Sequence, residues 1–340
     1  MLTPAVTVIL PVHNAGNELS AALIRVARAL PSQSELLIID DGSTDDSLER
    51  AVAFSADRTD VRVIAFAENS GVAAARNAAL AVARGTYIWF VDWDDEWSDD
   101  IVRDMLESAQ TEEADAVVTG ARWGYSSGAL LGRVEALPTT RIIDGARGVD
   151  AMLRGELKGY LWTKLFRREA LPVDMFPPMR SQSDFCGFAG VVGSLQKIVI
   201  LPDVRYTHVI REGSITNTKE PDLNNLILCR EAIAQAARAV GMTGDRSRDL
   251  LRYDYAHWYL ASVDTALRLS SEKTARSVLT DALSRMKWAE IARLPLTDAR
   301  VAMHSTLVKL SGQHYPSIRR RLLDIRARLR NRRVVENSAR

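Results

Sequence analysis

The chain has 340 residues, 47% hydrophobic and 26% charged, enough to bury a sizeable core in one large domain with an appendage or in two domains. Its formal net charge of +1 gives no global field of the kind that marks a nucleic-acid binder. Its two cysteines, Cys186 and Cys229, make neither a disulfide framework nor a zinc motif and fit a reducing, cytoplasmic setting.

In chain order, Val6 to Leu10 is an apolar, β-branched run that reads as a strand buried on both faces and stops at Pro11. No basic segment with a small-residue cleavage site precedes it, which argues against a signal peptide. Leu19, Ala22, Leu23, Val26, Ala27 and Leu30 follow at helical spacing, with Asn17 placed to cap. Leu36 to Ile39 reads as a second buried strand ending in Asp40-Asp41-Gly42-Ser43, and a capped helix is expected from about Thr44. Val61 to Phe66 gives a third strand, Val72 to Ala83 an Ala-rich helix closed by Gly85, and Tyr87 to Val91 a fourth strand. Ser98 is placed to cap a helix with Val102, Met105, Leu106 and Ala109 on one stripe, and Ala116 to Thr119 reads as a fifth strand.

Strands alternating with helices at this spacing predict an α/β fold with a mostly parallel sheet flanked by helices. Ligands of such sheets bind beyond the carboxyl ends of the strands, where this sequence places Pro11 to Asn14, Asp40-Asp41 and Asp92 to Asp95. Residues 121–220 are less regular, and from about Asp222 the pattern is wholly helical, so the chain divides into a domain over 1–220 and a C-terminal α-helical region over 221–340 with a basic tail. No apolar run approaches the ~20 residues that span a bilayer.

Asp92 and Asp94 lie two apart in extended chain and aim at one object, and three carboxylates this close repel unless a cation such as Mg²⁺ or Mn²⁺ sits among them. An acidic surface turn is the rival reading. Asp41, an acceptor-only group at a strand end, suits the imide N–H of uracil or thymine, while its neighbours suit a helix N-terminus. Arg76, early in the Ala-rich helix, is placed either to reach a phosphate or to hold the acidic loops. The lack of GxGxxG after the first strand and of GxxxxGK[ST] argues against dinucleotide oxidoreductases and P-loop enzymes.

Four segments then form an ordered set: Val8 to Asn14, Ile38 to Asp45, Asn69 to Asn77 and Gly85 to Asp95. Trp162-Thr163-Lys164-Leu165-Phe166 and Arg211 to Thr216 extend it. In this order and spacing the chain resembles glycosyltransferase family 2, the inverting enzymes of the GT-A fold, over about residues 5–220. The resemblance implies a nucleotide-sugar donor, most simply a uridine diphosphate sugar, a carbohydrate or other hydroxyl acceptor, and a Mn²⁺ or Mg²⁺ cofactor. It implies nucleobase recognition by Asp41, a nucleoside pocket lined by Pro11, Val12 and Asn14, and a D-x-D of Asp92 and Asp94 that holds metal and diphosphate, with Asp95 a weaker candidate. Trp93 is bulkier than the family's usual middle residue and reshapes the donor-sugar pocket. Residues 1–120 would hold the nucleotide-sugar and 121–220 the acceptor.

The family usually carries Glu-Asp before an apolar helix, the Asp being the catalytic base. This sequence reads Gln182-Ser183-Asp184-Phe185, which leaves Asp184 for the role, at a helix start that would favour its ionised form, with helix capping as the rival reading. His208 reads as packing before metal ligand. Trp123, Tyr125, Tyr160 and Trp162 read as core or as a stacking surface for an acceptor sugar. A non-catalytic sugar-nucleotide binder is the alternative class, and a sugar-1-phosphate nucleotidyltransferase a third. Arg319 to Arg333 holds eight arginines and one acidic residue, which reads as a solvated helix face or as a contact with the inner face of an anionic membrane.

Overall fold

The computed structural model describes residues 3–125, 127–135, 138–179, 181–210, 223–242, 247–269, 271–296, 298–319 and 321. These form two compact units, one of 3–210 with 231–242 and one of 223–230 with the residues from 247 onward.

The first unit opens with β1 (Val6–Val12), α1 (Glu18–Ala29), β2 (Ser34–Asp40), α2 (Ser47–Ser55), β3 (Val61–Ala65), α3 (Val72–Val82) and β4 (Tyr87–Phe90). β1, β2 and β4 are buried at every position, as the apolar runs within them demand, with the buried Thr7 hydroxyl donating to Glu35 across β1 and β2. It continues through β5 (Glu96–Trp97), α4 (Ile101–Thr111), β6 (Ala116–Tyr125), β7 (Leu130–Val134), β8 (Arg141–Ile143), α5 (Gly145–Arg154) and β9 (Lys164–Arg167). α6 (Ser183–Val192) and β10 (Ile198–Ile210) follow, with the part of α7 (Leu223–Ala239) from Glu231 onward.

The strand order is β3-β2-β1-β4-β9-β6-β10-β5, with β7 on β6 and β8 on β10. β3-β2-β1-β4 is wholly parallel, as expected. The other half of the sheet adds antiparallel pairings to the parallel β6–β10 ladder. β9 inserts antiparallel between β4 and β6, and β5, β7 and β8 also pair antiparallel, so the whole sheet is mixed. β9 comes from the irregular stretch after residue 121, whose strand character is a four-residue segment too short to show a period.

The helix starts differ from the expected caps. Asn17 stands at the cap of α1, yet its side chain caps nothing and instead accepts from Arg50 Nη2 at 2.5 Å. α2 begins at Ser47 rather than near Thr44, because Thr44 is drawn off to Asn14. α4 begins at Ile101 with Asp100 at its cap position, and Ser98 contributes only a carbonyl to Ile101 N.

The second unit is helical: α8 (Ser247–Tyr253), a π-helical stretch Asp254–Tyr259, α9 (Leu260–Ala266), α10 (Glu272–Arg285), α11 (Trp288–Ile291) and α12 (Ala299–Ser311). Its own core gathers Tyr255, Leu260, Val263, Leu279, Met286, Leu294, Val308 and Tyr315. Ser271 caps α10, and Asp298 caps α12 by accepting from Arg300 N and Val301 N. Among the described residues no helix is long and apolar enough to cross a membrane.

Candidate active site

The site lies where β1 parts from β4. The β1–β4 ladder ends at Ile9 opposite Phe90, whereas the β1–β2 ladder runs on to Val12 opposite Asp40. Pro11, buried and without an N–H, falls just past the end of the β4 ladder. Because β2 and β4 flank β1, this is a topological switch point, where an α/β sheet opens a crevice at the strands' carboxyl ends.

Two loops are laced together there. Asn14, at φ 49°, donates its N–H to Ser43 Oγ at 3.0 Å and accepts from Thr44 N at 2.8 Å. His13 Nδ1 donates to the Asp41 carbonyl at 2.8 Å, and Asp41 N donates to the Val12 carbonyl at 2.8 Å. Gly42, at φ 64°, lies so close to Glu68 and Asn69 that a Cβ would sit 2.4 Å from the Glu68 carbonyl carbon. Only glycine fits there.

Asp41 is 3% exposed, and its carboxylate accepts from Ser70 N at 2.7 Å and Gly71 N at 2.9 Å. It thereby fastens the start of α3. A carboxylate has about four lone-pair sites, so two such bonds leave acceptor capacity for an imide N–H. α3 then delivers Arg76, buried, whose Nη2 meets Asp92 Oδ1 at 2.9 Å while its guanidinium carbon lies 5.8 Å from the Phe176 ring centre. Of its two expected roles, Arg76 is seen in the loop-holding one. Its Nε–H is buried without a partner among the described residues, a donor left for an anionic oxygen.

The three aspartates after β4 separate. Asp95 is fully buried, accepting from Tyr206 OH at 2.8 Å, Val209 N at 2.8 Å and His208 Nδ1 at 3.0 Å. It pins this loop to β10. Asp92 and Asp94 stay half-buried. Trp93 packs partly against the core, and its carbonyl accepts from Arg25 Nη2 at 3.1 Å. His208 stacks parallel to Trp162 and edge-on to Trp123. Burial lowers its pKa, but the Asp95 hydrogen bond and the charges of Asp95, Asp92 and Asp94 outweigh that and raise it. The loop's negative charge therefore reaches His208.

Asp184 is the second residue of α6, behind Gln182 at the cap position with φ 64°, so it does not cap the helix. Burial raises its pKa, against lowering by the Arg76 charge and by the backbone N–H of Phe185, and the charge of Asp92 raises it further. The expected dominance of the helix start is thus corrected: desolvation wins. The same balance places Asp184 within electrostatic reach of Arg76 and Asp92. Tyr160 feels it too, its hydroxyl pushed up to about 12 by burial and by the charges of Asp184 and Glu135.

The residues present fit a divalent cation only in part. Among the described residues no group of three or more His, Cys, Asp or Glu side chains is arranged to hold a metal. Asp95 is committed inward and Asp92 is shared with Arg76. Asp94 with Asp92 offers hard oxygen donors suited to Mn²⁺ or Mg²⁺, which would take its other ligands from substrate and water.

Residues 7–171 match the family model for glycosyl transferase family 2. Over that segment the chain is similar to glycosyl transferase family 2. GlyG of Streptococcus pneumoniae, named a glycosyltransferase, is 27% identical over 64% of this chain and 75% of its own length. Several other curated relatives align over only about half of theirs. Among solved structures, Staphylococcus aureus TarS 1–349 in complex with UDP-GlcNAc superposes with a TM-score of 0.66, at 20% identity over 90% of each chain. The mannosyltransferase PcManGT of Pyrobaculum calidifontis, in complex with GDP-Man and Mn²⁺, gives 0.52 at 17% identity over 91% of this chain and 85% of its own. Both likenesses concern the fold.

The first unit has a second polar centre, around Lys164. Lys164 is fully buried, its Nζ donating to Glu135 Oε1 at 2.8 Å, the Tyr160 carbonyl at 2.7 Å and Thr163 Oγ1 at 3.0 Å. Glu135 also accepts from Lys158 N and Thr163 Oγ1. The Trp162 to Phe166 segment carried this lysine, but nothing in the sequence tied it to Glu135. Asn77 is equally hidden in an Ala-rich helix: its side chain donates to the Phe176 carbonyl at 2.8 Å and accepts from Phe176 N at 3.0 Å. Of the four aromatic candidates, Trp162 is core, stacked between Tyr160 and Tyr206, Trp123 and Tyr160 are half-buried, and Tyr125 is exposed.

Proposed function

We propose that this chain is an inverting glycosyltransferase that moves a sugar from a nucleoside diphosphate sugar, most simply a uridine one, to an acceptor hydroxyl. The observation that carries this reading is the buried Arg76 guanidinium, which pairs with Asp92 and whose charge reaches Asp184, on a helix whose start Asp41 fastens at the switch point.

In this reading Asp41 accepts the imide N–H of the base, and Pro11, Val12 and Asn14 line the nucleoside. Arg76 offers its unpartnered Nε–H to a phosphate oxygen. Trp93 borders the donor sugar. Asp92 and Asp94 hold Mn²⁺ or Mg²⁺, which when bound offsets the diphosphate's negative charge. Asp184 takes the proton of the acceptor hydroxyl as the oxygen attacks the anomeric carbon, and the diphosphate leaves from the opposite face. The division of labour is a nucleotide half over residues 1–120, an acceptor half over 121–220, and a helical region over 221–340. The location proposed is cytoplasmic.

Calorimetry with UDP tests the donor and metal assignments together. Binding should be stronger with Mn²⁺ than with EDTA, and Asp94→Ala should lose the metal-dependent gain with its circular dichroism unchanged. Equal affinity under both conditions would remove the metal from the reading. Turnover of a UDP-sugar by the purified chain separates the enzyme from a non-catalytic binder.

A further inference from the structure

Residues 221–318, before the basic run, hold 13 Lys and Arg against 10 Asp and Glu, whereas the first 220 hold 22 against 31, so the helical part lacks the acidic excess of the rest. Within the helical unit, α12 turns Met303, Leu307 and Leu310 outward, four and three residues apart and so on one stripe, with Met303 and Leu310 more than 70% exposed. Met303 also lines a groove of about 410 Å³ together with Trp288, Ile291, Ala292 and Ala302, and half of Trp288 is exposed. Leu296, 72% exposed, stands on the turn between α11 and α12.

The charges on these two helices and their turn are sorted. Lys287, Arg293 and Arg300 are exposed, Lys287 also pairing with Glu290 at 3.5 Å and Arg300 one turn before Met303 on the same stripe. Both acidic residues are turned to the protein: Glu290 accepts from Tyr255 OH at 3.0 Å, and Asp298 holds the α12 start and Arg252. Lys309 donates to the Leu283 carbonyl. The surface is thus an apolar stripe with a tryptophan at its edge and cations around it.

We propose that this α11–α12 face docks on an anionic lipid surface. An apolar face bordered by cations with an interfacial tryptophan matches such a surface in both its layers, acyl chain and headgroup. A second copy meeting this face symmetrically would set Lys287, Arg293 and Arg300 against their own counterparts. The proposal does not rest on the basic run Arg319 to Arg333. Arg319 is tied to Asp264 and Tyr315, and the run from Leu322 onward lies outside the described residues.

The test is co-sedimentation of the full chain with vesicles of phosphatidylcholine alone or mixed with phosphatidylglycerol. The chain should pellet with the anionic vesicles only, and added salt should weaken the binding. Met303→Ser/Leu310→Ser and Lys287→Glu/Arg293→Glu/Arg300→Glu should each lower the bound fraction by at least about tenfold, the scale set by burying an apolar side chain or bringing cations to an anionic surface. Melting temperatures should hold, since every replaced side chain is exposed. Failure to pellet overturns the proposal, as does binding that both variants retain. Self-association of the free chain that Met303→Ser/Leu310→Ser abolishes, without vesicle binding, assigns the face to a second copy instead.

Discussion

Asp184 shows how one carboxyl serves two balances. As a base it must be ionised, yet burial raises its pKa. The acid limb of kcat/KM should therefore lie above the ordinary carboxylate value of about 4, and Asp184→Asn should lose transfer by roughly 10²–10⁴-fold with UDP affinity kept. For stability the sign is opposite. A folded-state pKa raised above the unfolded one means the carboxyl favours folding only while protonated. That contribution is full below about pH 4 and is lost as pH rises through the raised value. Asparagine avoids the buried charge, so this variant should melt at or above wild type at neutral pH and converge with it in acid. A marked drop in melting temperature at pH 7 would count against this account. Lys164 carries the complementary case. Lys164→Met strands Glu135 as an unpaired buried charge and should cost about 3–5 kcal/mol in urea unfolding, with a smaller loss pointing to relaxation of the Glu135 loop.

At the scale of elements, α3 and the loop before α6 are held by one side chain. Asn77 pairs with both backbone groups of Phe176, a residue 99 positions away, and Phe176 packs under Arg76 and against Gly187 of α6. Asn77→Ala leaves a buried N–H and C=O without partners, a loss of about 1–3 kcal/mol. Transfer should fall while UDP binding, proposed to lie at the α3 start and the β1 and β2 ends, stays near wild type. Parallel losses in both would show that the latch serves the fold alone. Elements also divide what the sequence revealed from what it hid. β1, β2 and β4 were legible because strands buried on both faces leave unbroken apolar runs, and Asp41, Asp92 and Asp94 were legible because they end such runs. Asp95 was set apart only as the weaker candidate, because its partners Tyr206, Val209 and His208 lie more than a hundred residues later. The caps failed for a related reason. Asn17, Thr44 and Ser98 have suitable side chains, but tertiary partners or loop geometry divert them.

For the molecule as a whole, the feature with the longest reach is β9. Residues 164–167 enter the sheet between β4, at 87–90, and β6, at 116–125, while β10 closes on β6 from beyond residue 197. During synthesis at roughly 5–20 residues per second, β4 emerges some 4–15 s before its neighbour exists. Until then β4 presents a four-residue apolar edge, Tyr87-Ile88-Trp89-Phe90, with unpaired backbone groups. A fragment ending at Tyr125 should accordingly assemble β3-β2-β1-β4 and aggregate through β4, read as light scattering that a fragment ending at Ile210 does not show. Equal solubility of the two would mean that β6 covers the edge by itself. The strand that completes the sheet thus also works as a timer, setting how long the nascent chain needs protection.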